Sequence, residues 1–345
     1  MELWKRLQQS NKPIVLYGMG NGADRILDVM SSKGITASGV FASDGFVRHQ
    51  MFRGFTVQSY GELKEQFGEM IVLVSFGTHR PEVIENIKRI MAEQEGYAPD
   101  VPVAGETLFD ASFLDQHRAE LARVYELLAD ERSKQVFERV IESKLTGLLP
   151  PLFASESWPR EAWDLLELGQ EESYLDLGAY NGDTVERFWE YSKGKYRQVI
   201  AVEPDVKNYK KLLKNTEHLP HIQCVNACVD EAVGEKHYLM DGGRKSHALD
   251  SGGIEIPAVT VDLLAENQKI TFIKMDVEGM EAAVIKGAAQ TIQRDRPAMQ
   301  IAAYHRSEDL FALPLLVEEI CPGAKIYLRH FKSVPAWDTD FYIKY

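Results

Sequence analysis

Cysteine is scarce: the chain has three in 345 residues, irregularly spaced. That is too few for a disulfide framework and points to a reducing compartment. Positive charge is also in short supply. Lys and Arg number 39 against 52 Asp and Glu, a formal net charge of -13. A duplex nucleic-acid binder needs a broad basic face to replace counterions, so that class is excluded, whereas a local basic pocket is not. No stretch reaches about 18 consecutive apolar residues, so no membrane span is expected. The opening MELWKRLQQSNK is amphipathic and lacks the apolar core and small-residue cleavage site of a secretory signal. Internal repeats and low-complexity tracts are missing too. These absences fit a soluble cytoplasmic protein, and 45% hydrophobic with 26% charged residues is a globular composition. At roughly 100–200 residues per domain, the length suggests two domains, or one with a large extension.

What is present is strand–helix alternation, twice. Residues 14–17 (IVLY, after Pro13), 36–42 and 70–76 read as buried strands, with helical patterns after the first and from Pro81 to Glu93. That unit, residues 1–105, reads as a Rossmann-like doubly wound parallel sheet. Residues 106–170 form a helical connector: 111–144 lacks Gly and Pro and predicts one or two long helices, which Pro150, Pro151 and Pro159 then break. Those helices offer a surface for a homo-oligomer or simply bridge the domains. From 171 to 345 the alternation restarts, with strands predicted at 173–178, 198–204, 222–227, 270–276 and 298–305. Segments 324–331 and 338–345 close it as an antiparallel hairpin. The fold class is therefore α/β, two Rossmann-like sheets joined by a helical connector.

The chemistry concentrates in the second unit. In SYLDLGAYNGDT a strand delivers Asp176, Gly178 and Gly182 flank a turn, and a helix starts near Thr184. Glycines permit a sharp turn and close approach to a ligand, and the helix start offers N–H groups suited to a carboxylate or other anion. About 20 residues on, Glu203-Pro204-Asp205 ends the next strand, where an acid accepts hydrogen bonds from two ribose hydroxyls. The spacing is G-x-x-x-G rather than G-x-G-x-x-G, which favours an adenosyl ligand without pyrophosphate. Asp276 and Glu278 end a further strand, and His305 follows the next. Ligands of open α/β sheets bind outside the carboxyl ends of strands. Asp176, Glu203, Asp276, Glu278 and His305 all belong to that rim.

Together, DLGAYNGDT, EPD, IKMDVEGMEAAVIKGA, YHRSEDL and the YLRHF hairpin resemble the FkbM family of S-adenosylmethionine-dependent methyltransferases, over about residues 170–345. The resemblance implies a seven-stranded sheet with an antiparallel last strand, S-adenosylmethionine as cofactor, and methyl transfer to a hydroxyl of a sugar or other polyhydroxylated small molecule. It implies that Asp176, Gly178, Ala179 and Gly182, with Asn181 and Asp183 in the same turn, line the methionine end. Glu203 and Pro204 would sit at the ribose, Asn226 or Ala227 near the adenine, and Asp276 on the same rim. A hydroxyl nucleophile also needs a proton acceptor. His305 suits by its usual pKa near neutrality, with Glu278 and Asp276 as rivals. The two carboxylates also suit a divalent cation that binds a substrate diol, although the reading assigns no metal ligand. Plainer roles stand beside these: Asp276 as a helix N-cap with Glu278 in the first turn, and His305 as a structural strand-end residue. Cys224 and Cys228 read as core packing rather than zinc ligands. Arg244, Lys245, Ser246 and His247, in a glycine-rich loop, read as a flexible connection or a lid over the site.

In the first unit, Gly18, Gly20 and Ala23 match G-x-G-x-x-A after a strand, with Asp44 as the candidate ribose acid and His79 and Arg80 as rim residues able to meet phosphate. A nicotinamide-dependent oxidoreductase built on that site is one alternative function. A non-catalytic protein that binds adenosyl ligands is another. The expected partner is a small-molecule, carbohydrate-like acceptor, with neither nucleic acid nor membrane involved.

Overall fold

The computed structural model describes residues 1–239, 247–249 and 254–345. In the first unit, short β-branched runs give β1 (Ile14–Tyr17), β2 (Gly39–Phe41), β3 (Met51–Phe52), β4 (Phe55–Gln58), β5 (Ile71–Val74) and β6 (Glu95–Tyr97). They form one sheet in the order β3-β4-β2-β1-β5-β6, parallel except for the edge hairpin β3–β4. β1 and β5 are buried at every position, as two-sided coverage by helices requires. The helix Pro81–Glu93 spans the predicted residues. The hairpin and β6 were not predicted; each strand is too short and too exposed to leave an apolar run.

The connector differs from its prediction. It contains the helices Ala111–Gln116, Arg118–Leu127, Glu131–Thr146, Leu149–Ala154 and Pro159–Leu166. Asp130 starts the third by accepting hydrogen bonds from Ser133, an N-cap signal legible in the sequence. The prolines begin helices rather than break them. Pro150, Pro151 and Pro159 occupy first-turn positions, where a missing N–H costs nothing. Val136, Phe137 and Val140 join the core of the second sheet, while Leu149 packs into that of the first. A buried Lys144–Asp100 ion pair at 2.8 Å ties the connector to the first unit.

The second unit contains β7 (Ser173–Leu177), β8 (Gln198–Val202) and β9 (Ile222–Val225), then a small sheet of β10 (Cys228–Val229), β11 (Gly234–Leu239), β12 (His247–Leu249) and β13 (Ile254–Val259). β14 (Phe272–Met275), β15 (Ala298–Ala302), β16 (Lys325–His330) and β17 (Thr339–Lys344) complete the main sheet, in the order β16-β17-β15-β14-β7-β8-β9. β17 alone runs antiparallel, inserted between β15 and β16. The expected seven-stranded sheet is therefore present. The small sheet was not foreseen. Arg244, Lys245 and Ser246 lie outside the described residues, as does the His247 side chain. Among the described residues no helix is long and apolar enough to cross a membrane.

The two units meet beside the hairpin. Thr78, just past β5, exchanges backbone hydrogen bonds with Val334 at 2.9 and 3.0 Å. Gly77 is required there, because a Cβ would fall 2.0 Å from the Trp337 ring.

Candidate active site

The central strands β14 and β7 place their carboxyl ends side by side, and a cavity of about 890 Å³ opens above them. Gly178 sits where β7 turns. Its φ is +78°, and a Cβ would lie 1.9 Å from the Asp276 carbonyl oxygen, so only glycine fits. Gly182 (φ +91°) precedes the helix Asp183–Ser192. The helix start is less open than the sequence led us to expect. The Asp183 N–H is taken by Asn181 Oδ1 and the Thr184 N–H by Asp183 Oδ1.

Glu203 lines the cavity just past β8. Its two carboxylate oxygens accept hydrogen bonds from the backbone N–H groups of Tyr180 and Asp205, each at 2.9 Å. Burial pushes its pKa up to about 7 against those hydrogen bonds. Gly178, Asp183, Pro204, Ala227, Asp276 and Glu278 share the same wall. Other expected residues stand behind it. Asp176 is fully buried, accepts a hydrogen bond from the Thr184 hydroxyl and lies 3.4 Å from Lys274 Nζ. It is Lys274 that reaches the cavity. Burial disfavours the Lys274 charge, but Asp176 and Asp276 outweigh it and hold the ammonium above its usual pKa. Asn226, expected near an adenine, spends its amide donors on the Glu203 and Pro204 carbonyls and so braces that turn. Ala179, Asn181 and Gly182 shape the β7 turn from outside the wall.

His305 is the largest departure. It is 1% exposed and off the cavity wall. Its Nε2 lies 3.4 Å from Asp276 and 3.6 Å from Glu278, and its Nδ1 lies 3.0 Å from Glu281. Burial opposes the charged form, yet the three carboxylates prevail and lift the pKa to about 10. An imidazolium has no lone pair with which to take a proton, so His305 does not suit the role of base. Asp276, Glu281 and His305 bring ligand atoms within 4.8 Å of one another. Asp276 is not an N-cap: the helix Glu281–Lys286 is preceded by Met280, and Tyr304 Oη donates to Asp276 at 3.2 Å.

The sequence reading missed Glu281, which is fully buried and anchors the turn by accepting the Val277 N–H at 2.9 Å. An acid in the first turn after DVEG was its only signal. It also missed Trp163, Gln300 and Asp340 on the cavity wall. His79, read as a rim residue of the first unit, lines this cavity instead, while Arg80 pairs with Glu82.

In the first unit, Gly18 turns sharply (φ +122°) at the end of β1, but a Cβ there would meet Phe76 and Ser75 at 2.7 Å. The close helix–strand approach falls at Gly22, where a Cβ would lie 2.3 Å from the Ser75 carbonyl, rather than at buried Ala23. Gly20 caps the helix Asn21–Ser32. Asp44 is exposed in a short 3-10 turn beyond β2, not at the strand end. Cys224 and Cys228 are free thiols in apolar packing.

Residues 176–321 match the family described as methyltransferase FkbM domain. The crystal structure of methyltransferase FkbM from Methylobacillus flagellatus superposes with a TM-score of 0.73 at 21% identity, covering 96% of this chain and 90% of that one, so the two share their fold nearly throughout. Aeropyrum pernix fibrillarin, in complex with S-adenosyl-L-methionine, is far more distant: TM-score 0.35, 15% identity, 54% of this chain and 73% of that one. No curated protein matches the chain. The motifs, the seven-stranded sheet and the match over residues 176–321 agree: the second unit carries a match to the methyltransferase FkbM domain.

Proposed function

We propose that this methyltransferase moves the methyl group of S-adenosylmethionine to a hydroxyl of a sugar or other polyhydroxylated small molecule. Glu203 carries the cofactor half of the reading. Two backbone N–H groups fix its carboxylate at the cavity wall, leaving lone pairs for a pair of vicinal ribose hydroxyls. The acceptor half rests on the far wall. Trp163, Tyr304 and Tyr342 line it with aromatic side chains, and Asp276, Glu278 and Gln300 with hydrogen-bonding groups, a mixture suited to a sugar ring.

S-adenosylmethionine supplies an activated methyl on its sulfonium. The acceptor oxygen attacks that carbon in line, the C–S bond breaks with its electron pair returning to sulfur, and the hydroxyl proton leaves to a base. The protein aligns the two reactants and excludes water. His305 Nε2 lies 3.4 Å from Asp276 and 3.6 Å from Glu278 and steadies both side chains along this path. His79 brings the first unit into the same wall, so we assign that unit a share in enclosing the acceptor.

Calorimetric titration with S-adenosylhomocysteine and with NADH separates this reading from its rivals. Binding of the former alone, with transfer of labelled methyl to a panel of methyl glycosides, supports it. Binding of NADH alone would favour an oxidoreductase, and S-adenosylhomocysteine binding without any transfer would favour a non-catalytic binder.

A further inference from the structure

We infer that Asp340 is the base that takes the acceptor's proton. The inference rests on the methyl-transfer reading above and begins from sheet order. The cofactor acid Glu203 follows β8; Asp340 lies on β17, on the opposite side of the central strands β7 and β14. Four strand spacings, about 19 Å, separate β8 from β17. That span accommodates an adenosyl group and an acceptor placed end to end. A proton acceptor must stand on the acceptor side, and Asp340 lines the cavity there.

Its carboxylate is aimed by a partly buried chain of hydrogen bonds. Trp163 Nε1 donates to Gln300 Oε1 at 2.8 Å, and Gln300 Nε2 donates to Asp340 Oδ2 at 2.7 Å. Tyr342 Oη, at 3.5 Å, addresses the same oxygen. Oδ1 accepts no hydrogen bond from a described residue and is not sealed from the cavity. One oxygen is thus clamped and the other left for substrate. Gln300 and Trp163 are positioning residues. This is the preorganised geometry expected of a general base, held by elements rather than by a loop.

The other two acids on this wall are engaged elsewhere: Asp276 and Glu278 lie 3.4 and 3.6 Å from His305 Nε2. Around Asp340 the charged groups are differently disposed. Arg329, its cross-strand partner on β16, turns to Asp130 and Glu161. Lys274 on β14 lies against Asp176 and the Gly178 carbonyl. Asp276 and Asp338 oppose a second negative charge, and Tyr304, Tyr342 and Arg187 complete the surroundings. Burial first, then those two aspartates, raise the Asp340 pKa to about 7, against the pull of Gln300 and Lys274. A base near pH 7 is present in its active form and still accepts a proton readily.

The test compares wild type with Asp340→Asn and Asp340→Glu. Each is titrated calorimetrically with S-adenosylhomocysteine and assayed with methyl-labelled S-adenosylmethionine and methyl glycosides between pH 5.5 and 9. Asp340→Asn should bind S-adenosylhomocysteine within about twofold of wild type. It should lose on the order of 10²–10⁴-fold in transfer at pH 7, together with the rising limb centred near that pH. Asp340→Glu should keep a limb, displaced along the pH axis. An unchanged rate and profile in Asp340→Asn would overturn the inference. A second readout needs no acceptor: aspartate carboxyl carbons followed by NMR in the S-adenosylhomocysteine complex. One resonance titrating near neutrality should vanish in Asp340→Asn, and finding Asp340 ionised below pH 5 would overturn its role. Failure of wild type to bind S-adenosylhomocysteine would instead overturn the methyltransferase reading itself.

Discussion

Replacing Glu203 by Gln keeps the side-chain shape and removes one acceptor. In wild type both oxygens receive a backbone N–H, from Tyr180 and Asp205. A glutamine amide has one oxygen, so its NH₂ must face one of those N–H groups. One buried donor then loses its partner, a cost of about 1–3 kcal/mol to stability. The charge that ribose hydroxyls would address is lost as well. Hydrogen bonds to a charged group are worth about 1.5–3 kcal/mol each, so two of them convert to a fall in S-adenosylhomocysteine affinity on the order of 10²-fold or more. pH offers a second reading of the same carboxylate. With the pKa raised to about 7, ligand hydroxyls that donate to it favour the ionised form. Affinity should therefore rise with pH up to about 7 and then level off, and Glu203→Gln should abolish that rise. The free protein should show the opposite trend. Folded Glu203 holds its proton between its usual 4.5 and about 7, so its contribution to stability falls as pH rises through that window. Calorimetry at pH 5.5, 6.5 and 7.5 decides it. Affinity within threefold of wild type in Glu203→Gln, or a flat wild-type profile, refutes the assignment.

Other outcomes follow from the same geometry. His305→Leu leaves Glu281 buried without its cation and should destabilise by about 3–5 kcal/mol, read by urea denaturation; a loss under 1 kcal/mol would mean that the cluster is not ionised as described. In wild type that imidazolium's stabilisation is complete below pH 6.5 and fades as pH climbs toward about 10, so the stability difference between the two proteins should narrow there. Gly178→Ala drives a Cβ into the Asp276 carbonyl, and thermal scans and calorimetry should show both a lowered Tm and weakened S-adenosylhomocysteine binding; a variant equal to wild type in both contradicts the turn geometry. Lys144→Met strands Asp100 in the interior and should cost about 3–5 kcal/mol, measured by denaturant unfolding, with a neutral result arguing against a buried ion pair.

The sheet and its rim were legible because strand–helix alternation is a local signal. A short apolar run ending in Gly or an acid marks where a parallel strand stops, and Gly178, Glu203 and Asp276, which line the cavity, stand at such ends. The rest of the site depends on which strands become neighbours. Asp340 is one of two acids in the hairpin region, and nothing in DTDFYIKY tells that β17 inserts beside β15 and sets it against Gln300. Trp163 comes from the connector, 137 residues away from that glutamine in sequence. His305 differs from a free imidazole because three carboxylates converge on it from one turn and one helix. Its usual pKa said nothing of that field. In the first unit the G-x-G-x-x-A pattern was present, while the acid it calls for lies in an exposed turn.

Diffraction from crystals of the S-adenosylhomocysteine complex reaches the central claim most directly. Both ribose hydroxyls should donate to the Glu203 carboxylate at about 2.7 Å, with the sulfur between that residue and the Asp276–Asp340 wall. A ligand bound at the Gly18 turn, or one whose ribose avoids Glu203, would contradict it.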